Sequence, residues 1–188
     1  MVPLECIVPA EAPAGSGVIS VSPNLAMPMT RLLGSDEVSP ASVLPPGGRA
    51  LTRFALEHLP NGYPKTHCIL YCDRTTFTPA PEVLPVSELP DDDIHADWYR
   101  LHFDGPIFVA RNEQDAIVSW AAIKCKSDEI WEMAVVTEPP YRSRGLARSV
   151  VSRATRAALD AGKQPLYLHE ISNHASAKVC GALGYRLY

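Results

Sequence analysis

The sequence predicts a mixed α/β domain preceded by a proline-rich N-terminal lobe. In the second half of the chain, strand-like and helix-like segments follow one another in the order β-β-β-α-β-α-β, an alternation typical of helices packed against a sheet. Prolines are concentrated in the first half, because only three of the 18 in the chain lie beyond residue 106. The first half of the chain is therefore read as short elements broken by turns, and the second half as regular.

The N-terminal lobe is predicted to consist of short elements separated by turns. The segments MPMTRLL and PPGGRALTRFALEHL each predict a short helix, and in the second Leu51, Phe54, Ala55 and Leu59 recur at helical spacing. The segment THCILYCD is typical of a strand, and TTFTPAPEVLPV predicts a linker with a short strand. The acidic segment ELPDDDIHADWYRLH predicts a loop that leads into a helix.

Two groups of side chains could bind a metal ion, but in each case a structural role is favoured. Asp91–Asp93 suit a solvated helix start, where negative charge is favourable. His67, Cys68 and Cys72 suit a buried strand, because no second ligand pair has the spacing of a zinc site. The sequence therefore predicts no metal site.

The strands of the α/β domain follow from its apolar segments. GPIFVARN predicts a strand, and AIVSWAAIKC, apolar on both faces, is typical of a central strand. KSDE can turn the chain, so that IWEMAVVT returns as the partner in a hairpin. Pro139 and Pro140 end this strand, because proline has no N–H to donate to a ladder.

Two helices and two strands complete the domain. A helix is predicted from Ser143 to Ala161, ended by Gly162, and its buried stripe consists of Leu146, Val150, Val151, Ala154, Ala157 and Ala158. QPLYLHEI predicts a further strand. SNHASAKVCGALG predicts a helix that Ser172 or Asn173 caps and Gly184 ends, and YRLY predicts a short closing strand.

Composition limits the function classes. The chain has 17 Lys and Arg against 21 Asp and Glu, a net charge of −4, so we expect no nucleic-acid partner. Its five cysteines are odd in number and include no C-x-x-C, which favours reduced thiols in the cytoplasm. No apolar run approaches the roughly 20 residues of a membrane span, and the N-terminus lacks a basic start. We therefore expect a cytoplasmic protein without a membrane partner.

The stretch YRSRGLARSVVSRA, residues 141–154, concentrates positive charge where a helix is predicted to begin. The unpaired N–H groups and the dipole of such a helix end attract an anion. Gly145 and Ala147 let an anion approach the backbone, and Arg142, Arg144 and Arg148 surround it with charge. The stretch matches neither a P-loop nor a G-x-G-x-x-G fingerprint. The alternative is that the small residues only allow close packing and that the arginines are solvated.

The two stretches WEMAVVTEPPYRSRGLARSVV and SNHASAKVCGALGY together resemble the GNAT superfamily of acyl-CoA-dependent N-acyltransferases. The first is similar to its pyrophosphate motif, V-x-P-x-[YF]-[RQ]-x-x-G-x-[GA], with Thr137 in place of the usual valine. The second is similar to its closing motif, N-x-x-[AS]-x-x-[LV]-x-x-x-[LM]-G-[FY]. The resemblance covers roughly residues 86–188, which we assign to the N-acetyltransferase domain, and implies a mostly antiparallel sheet flanked by helices. Residues 1–85 are assigned to an N-terminal lobe, which is similar to the variable lobe of some two-lobed members.

The resemblance also implies a cofactor site for acetyl-CoA as co-substrate. Backbone groups of Val135, Val136 and Thr137 would pair with the pantetheine arm as an added strand does. Pyrophosphate would lie against the backbone N–H groups of Arg142, Ser143, Arg144, Gly145, Leu146 and Ala147. Arg142 or Arg148 would pair with phosphate oxygens. Asn173 would contact the acyl-CoA arm, or it would serve only as a helix cap.

The catalytic groups are less defined by the resemblance. Glu132 is the candidate general base, although known members carry this glutamate at the position of Trp131, one residue earlier and on the opposite face of a strand. Glu170 and His169 are the alternatives. A backbone N–H near Val136 would stabilise the oxyanion.

Two departures from the family pattern bear on activity. Where many members have a tyrosine as general acid, this chain has Cys180, which is either a proton donor or buried filler. The family usually has two strands after the closing helix, and here only YRLY follows. We expect the sheet edge to be completed by the N-terminal half or by a partner chain, as in a homodimer.

The leading hypothesis is therefore an acetyl-CoA-dependent N-acetyltransferase that acts on the amine of a small molecule or a peptide. Two other hypotheses stay open. One is a catalytically silent acyl-CoA-binding sensor, and the other is a purely structural interaction domain.

Overall fold

A computed structural model of the protein describes residues 4–7, 18–21, 23–33, 48–58 and 67–188. The chain divides into two compact units, one of residues 1–66 with Tyr188 and one of residues 67–187. In the first unit, two strands pair antiparallel, β1 (Leu4–Ile7) and β2 (Val18–Val21). Two helices follow, α1 (Pro23–Leu33) and α2 (Gly48–His58), which confirm the two short helices predicted there.

The second unit is built on a seven-stranded sheet. Its strands are β3 (His67–Tyr71), β4 (Val86–Glu88), β5 (Ile107–Arg111), β6 (Ile117–Cys125), β7 (Ile130–Thr137), β8 (Gln164–Glu170) and β9 (Arg186–Leu187). Their order across the sheet is β4-β5-β6-β7-β8-β3-β9. All neighbours are antiparallel except β7 and β8, which are parallel. The predicted mixed, mostly antiparallel sheet is confirmed.

Strand β3 lies between β8 and β9 although it precedes both by about half of the chain. Leu70 is paired with Tyr167 of β8 on one side and with Leu187 of β9 on the other. Residues 67–71 thus supply the strand that is missing after the closing helix. Because β3 belongs to the sheet, the compact unit begins at residue 67, whereas we expected the division after residue 85.

Three helices flank this sheet, α3 (Ala96–Arg100), α4 (Leu146–Asp160) and α5 (His174–Ala182). One face carries the main buried cluster, which includes the predicted stripe of α4. The opposite face carries a smaller cluster in which Tyr99 and Phe103 pack against β5 and β6. On β7, Met133 faces the main cluster and Ala134 the smaller one, as strand alternation requires.

Helix α4 begins at Leu146 and not at the predicted Ser143. Ser143 (φ 61°) and Gly145 (φ 89°) have left-handed backbone conformations, which interrupt a right-handed helix. At the other end the prediction is confirmed, because Gly162 (φ 71°) donates its N–H to Leu159 O and Lys163 donates to Ala158 O. These two bonds form a Schellman motif.

Candidate functional site

The parallel strands β7 and β8 separate in the middle of the sheet. They are paired from Ile130 with Gln164 to Met133 with Tyr167, and their pairing ends there. Each strand nevertheless remains paired with its outer neighbour to its C-terminal end, β7 with β6 and β8 with β3. A gap therefore opens between residues 134–137 of β7 and residues 168–170 of β8, and we call this gap the wedge.

The ladder between β6 and β7 determines which backbone groups face the wedge. Glu138 donates its N–H to Val118 O at one end of this ladder, and Lys126 donates its N–H to Ile130 O at the other. The residue pairing between these two bonds has no bulge. Because hydrogen-bonded pairs alternate in an antiparallel ladder, Val136 directs its backbone towards β6. Val135 and Thr137 direct theirs towards the wedge. Of the three residues predicted to pair with a pantetheine arm, two thus present their backbone to the wedge.

The chain between β7 and α4, residues 138–145, forms a loop that we call the anion loop. It contains a 3₁₀ turn over Pro139–Tyr141 and then the two left-handed residues, Ser143 and Gly145. Gly145 is the N-cap of α4 and forms no side-chain capping bond. Left-handed residues in a loop can direct successive N–H groups into one concavity that suits an anion, and this loop has two of them, Ser143 and Gly145. The first N–H groups of α4, which have no acceptor within the helix, follow this loop directly.

The three arginines of this region are exposed around the loop. Arg142 donates from Nε to Thr137 O (3.0 Å), which fixes its side chain beside the end of β7. Arg144 lies over the Tyr141 ring, 5.4 Å from its centroid. Arg148 approaches Gly145, since a Cβ there would lie 3.7 Å from its Nη2. None of the three is ion-paired with a carboxylate in the described part of the chain, so their charge is available to a ligand.

The wedge widens into a cleft of about 350 Å³, which we call the wedge cleft. It is lined by residues of β3, β7, β8 and the start of α5: His67, Glu132, Met133, Ala134, Val135, Tyr167, Leu168, His169, Glu170, Asn173 and Ser176. The predicted base Glu132 and both of its alternatives are therefore brought together in one cleft with Val135 and Asn173.

Glu132 lies in the wall of this cleft with most of its side chain buried. Its Oε2 is 3.1 Å from Lys126 Nζ, and the lysine is more than half exposed. No bulge interrupts β7, so Trp131, the position of the family's glutamate, faces the main buried cluster instead. The one-residue offset noted in the sequence is thus kept in the structure, and Glu132 is the carboxylate that β7 presents to the cleft.

The other predicted polar residues are fixed by hydrogen bonds. His169 is buried, and its Nδ1 is 2.8 Å from Glu170 O. Asn173 accepts a hydrogen bond from Ser176 N at its Oδ1 (3.0 Å), which is the predicted capping role. Because Asn173 also lines the wedge cleft, the cap and a ligand contact are compatible.

Cys180 lies outside the lining of the wedge cleft. It is 1% exposed, belongs to the main buried cluster, and its Sγ is 3.2 Å from Ala177 O. Burial raises the pKa of its thiol above the ordinary value. The sequence left two roles open for Cys180, proton donor and buried filler. These surroundings support buried filler.

Three polar lining residues were not singled out by the sequence as catalytic or cofactor groups. His67 reaches the cleft only because β3 is inserted beside β8, which no local pattern indicates. Tyr167 and Ser176 are joined by a hydrogen bond between their hydroxyls (2.9 Å). In QPLYLHEI, Tyr167 stands among the apolar positions of the strand, and nothing in that segment indicates that its hydroxyl has a partner on the next helix.

The described ranges contain neither a membrane-spanning helix nor a metal-binding cluster. No helix there is long and apolar enough to cross a membrane. No group of three or more His, Cys, Asp or Glu side chains there is arranged to hold a metal ion.

Comparison with known families identifies the second unit. Residues 70–185 match the family model described as the acetyltransferase (GNAT) family. No curated protein matches the chain. The matched range begins within β3 and ends between α5 and β9, so it contains the wedge, the anion loop and every residue that lines the wedge cleft except His67.

Solved structures agree in fold. An acetyltransferase of the GNAT family from Colwellia psychrerythraea is 11% identical, with a TM-score of 0.53 over 73% of this chain and 57% of that one. A GCN5-related N-acetyltransferase from Kribbella flavida is 17% identical, with a TM-score of 0.52 over 78% and 62%. Another from Sphaerobacter thermophilus is 14% identical, with a TM-score of 0.53 over 76% and 54%. The chain thus spans less than two thirds of each of these structures.

Proposed function

The chain belongs to the GNAT acetyltransferase family, and from this premise we propose that it is an N-acetyltransferase that moves an acetyl group from acetyl-CoA to an amine. The acceptor is a small molecule or a peptide, and its nitrogen attacks the thioester directly. The observation that carries the proposal is the wedge, because the anion loop follows it at the end of β7 and a cleft with a buried carboxylate adjoins it.

The cofactor part of the proposal rests on backbone groups. The pyrophosphate would be held by N–H groups of residues 142–147, with Arg142 or Arg148 paired to its oxygens. The pantetheine arm would lie in the wedge and bond to Val135 and Thr137 as an added strand does. Asn173 would contact this arm from the start of α5.

The chemical part of the proposal rests on Glu132. An alkylamine has a pKa of about 10.4, so near pH 7 only about one molecule in a few thousand is neutral and able to attack. Glu132, in the wall of the wedge cleft, would remove the excess proton directly or through water. The N–H of Val135 faces the wedge and would stabilise the oxyanion of the tetrahedral intermediate.

The second candidate function is a catalytically silent acyl-CoA sensor. Two observations favour it: Cys180 is buried where many family members have a tyrosine, and Glu132 is ion-paired with Lys126. A sensor would bind CoA in the same wedge and release no thiol.

The test is thiol release from acetyl-CoA with a panel of amines, accompanied by calorimetric titration with CoA. Release that depends on an amine supports the enzyme. Binding without release by any amine supports the sensor. A chain that neither binds CoA nor releases thiol contradicts both and leaves the structural interaction domain.

A cytoplasmic location is part of the same proposal. Cys68, Cys72, Cys125 and Cys180 are free thiols, and burial raises the pKa of Cys72 and Cys180, which keeps them protonated. Fractionation of cells that express the full chain tests the location, and recovery outside the cytoplasm would contradict it.

A further inference from the structure

The hydroxyl pair Tyr167–Ser176 lies in the wall of the wedge cleft. The two oxygens are 2.9 Å apart, and both residues line the cleft. Ser176 and Cys180 are four residues apart on α5, so they lie on the same helix face, one turn from each other. The Ser176 hydroxyl is therefore one turn closer to the start of α5 than the position where many family members have a tyrosine.

The hydrogen bond between the two hydroxyls has a preferred direction. Tyr167 is 1% exposed, and within the described residues its oxygen is bonded to Ser176 only. Burial raises the pKa of Tyr167 to about 12, so the phenol keeps its proton near neutral pH. A phenol is more acidic than an aliphatic alcohol and is the better donor. When Tyr167 donates to Ser176, the hydrogen of Ser176 is free to point into the cleft.

We propose that Ser176, oriented by Tyr167, donates a hydrogen bond to the sulfur of CoA as it leaves. Ser176 is then the group in contact with the reacting atom, and Tyr167 is a positioning residue. This inference rests on the proposed function, since it requires CoA in the wedge. It assigns to a serine on α5 and a tyrosine on β8 the task that many family members give to a tyrosine at the position of Cys180.

In the reaction, the C–N bond forms and the C–S bond breaks. The electron pair of the C–S bond goes to sulfur, where the Ser176 hydrogen bond stabilises the negative charge. The proton that the amine loses balances the proton that the thiolate later takes up from water. Ser176 and Tyr167 therefore both keep their protons over the whole cycle.

The first test needs no acceptor amine. The hydrogen bond stabilises the thiolate of bound CoA, so the bound thiol should ionise below the value of about 8.5 of a free thiol. Thiolate absorbance is titrated for the CoA complex, with the complex of desulfo-CoA subtracted to remove the protein's own cysteines. We expect Ser176→Ala to raise the midpoint by about one pH unit, a tenfold effect, and Tyr167→Phe to raise it by less.

The matched control is Tyr185→Phe. Tyr185 is also buried, its hydroxyl is 2.7 Å from Thr155 Oγ1, and its ring centroid is 5.5 Å from that of Tyr167, but it does not line the wedge cleft. It should lower the melting temperature about as much as Tyr167→Phe does and leave the thiol midpoint unchanged. Ser176→Ala should fold, because the family motif accepts alanine there.

The second test is a double-mutant cycle on turnover. Ser176→Ala should lower kcat on the order of tenfold or more at unchanged affinity for acetyl-CoA, which has no thiol to ionise, and Ser176→Thr should restore much of it. Tyr167→Phe should lower kcat a few fold in the wild type and add nothing in the Ser176→Ala background. Additive losses, or a thiol midpoint that none of these variants moves, would overturn the inference while CoA binding and turnover of the wild type still support the proposed function. Absence of CoA binding would overturn both.

Discussion

Gly145 adopts a backbone conformation that residues with a Cβ reach only with strain, and it stands at the start of α4 inside the anion loop. Its φ is 89°, and a Cβ would lie 3.1 Å from Val83 Cγ2. Any substitution therefore costs stability, on the order of 1–2 kcal/mol from the backbone alone. Gly145→Ala carries this strain without charge, which makes it the control for a charged variant.

We expect Gly145→Glu to bind CoA at least about tenfold more weakly than Gly145→Ala, because the carboxylate occupies the place of the anion and repels it. Calorimetric titration measures both affinities, and thermal melts show whether the two variants are equally folded. Equal affinities in two folded variants would show that the anion loop does not bind the pyrophosphate.

Glu132 is the residue on which catalysis by a general base would depend. Glu132→Gln should lower kcat/KM on the order of 10²-fold. The loss should shrink as the pH approaches about 10.4, the pKa of a lysine-like amine, because the free substrate is then already neutral. A pH–rate profile of both proteins measures this.

Lys126→Met is the control for that experiment, since it removes the ion-pair partner and leaves the carboxylate in place. If Glu132→Gln and Lys126→Met lower the free energy of unfolding equally and neither changes kcat/KM, the role of Glu132 is structural, as the ion-pair partner of Lys126. A loss that stays constant with pH would instead indicate a role in binding the substrate.

Cys180 distinguishes a filler from a proton donor. Because its side chain is buried in the main cluster, Cys180→Ala should cost about 1 kcal/mol of unfolding free energy with little change in turnover per folded molecule. Cys180→Tyr should overpack the cluster and lower both the melting temperature and CoA affinity. A tyrosine variant that is more active than the wild type would contradict the filler role and favour a sensor as the natural function.

At the scale of elements, strand β3 has the largest effect on the sheet. Cys72 donates its N–H to Pro165 O, so by alternation Cys68 donates to β8 as well. Cys68→Pro should remove this bond and destabilise the unit by about 1–3 kcal/mol, because the partner carbonyl on β8 loses its donor. Denaturant unfolding measures the loss.

Glu88→Pro in β4 is the matched control for Cys68→Pro. Leu89 donates its N–H to Ile107 O, so the N–H of Glu88 points away from β5 at the edge of the sheet. Proline should be tolerated there. If both variants are equally stable, β3 is not an integral strand of the sheet.

The predictable elements were those whose signals are local. IWEMAVVT forms β7 over its full length, and Gly162 ends α4 as predicted, because each depends on its own residues and their neighbours. The location of β3 could not be predicted, since its partner is fixed by burial and not by sequence distance. The start of α4 was placed three residues early because left-handed residues in the anion loop leave no apolar pattern. The motif at the end of β7 is local, so it could indicate which backbone groups lie beside the wedge, whereas the hydrogen bond between Tyr167 and Ser176 joins β8 to α5 and has no signal in either segment alone.

At the scale of the whole molecule, the division of the chain is testable by truncation. The sheet and its helices form a compact unit that begins at residue 67. A fragment that starts at residue 63 should fold and show a cooperative melt. A fragment that starts at residue 73 lacks β3, leaves β8 and β9 without their shared neighbour, and should not. A cooperative melt of the shorter fragment would contradict the assignment of β3 to the sheet.

The insertion of β3 also sets the order of events during synthesis. About 100 residues separate β3 from β8, so at roughly 5–20 residues per second the ribosome needs on the order of 5–20 s to produce the partner strand. During that time Leu70 and Cys72, both buried in the finished unit, have no partner strand to cover them. The nascent chain therefore passes through an interval in which it is open to chaperones and to pairing with other nascent chains, and slower translation lengthens that interval.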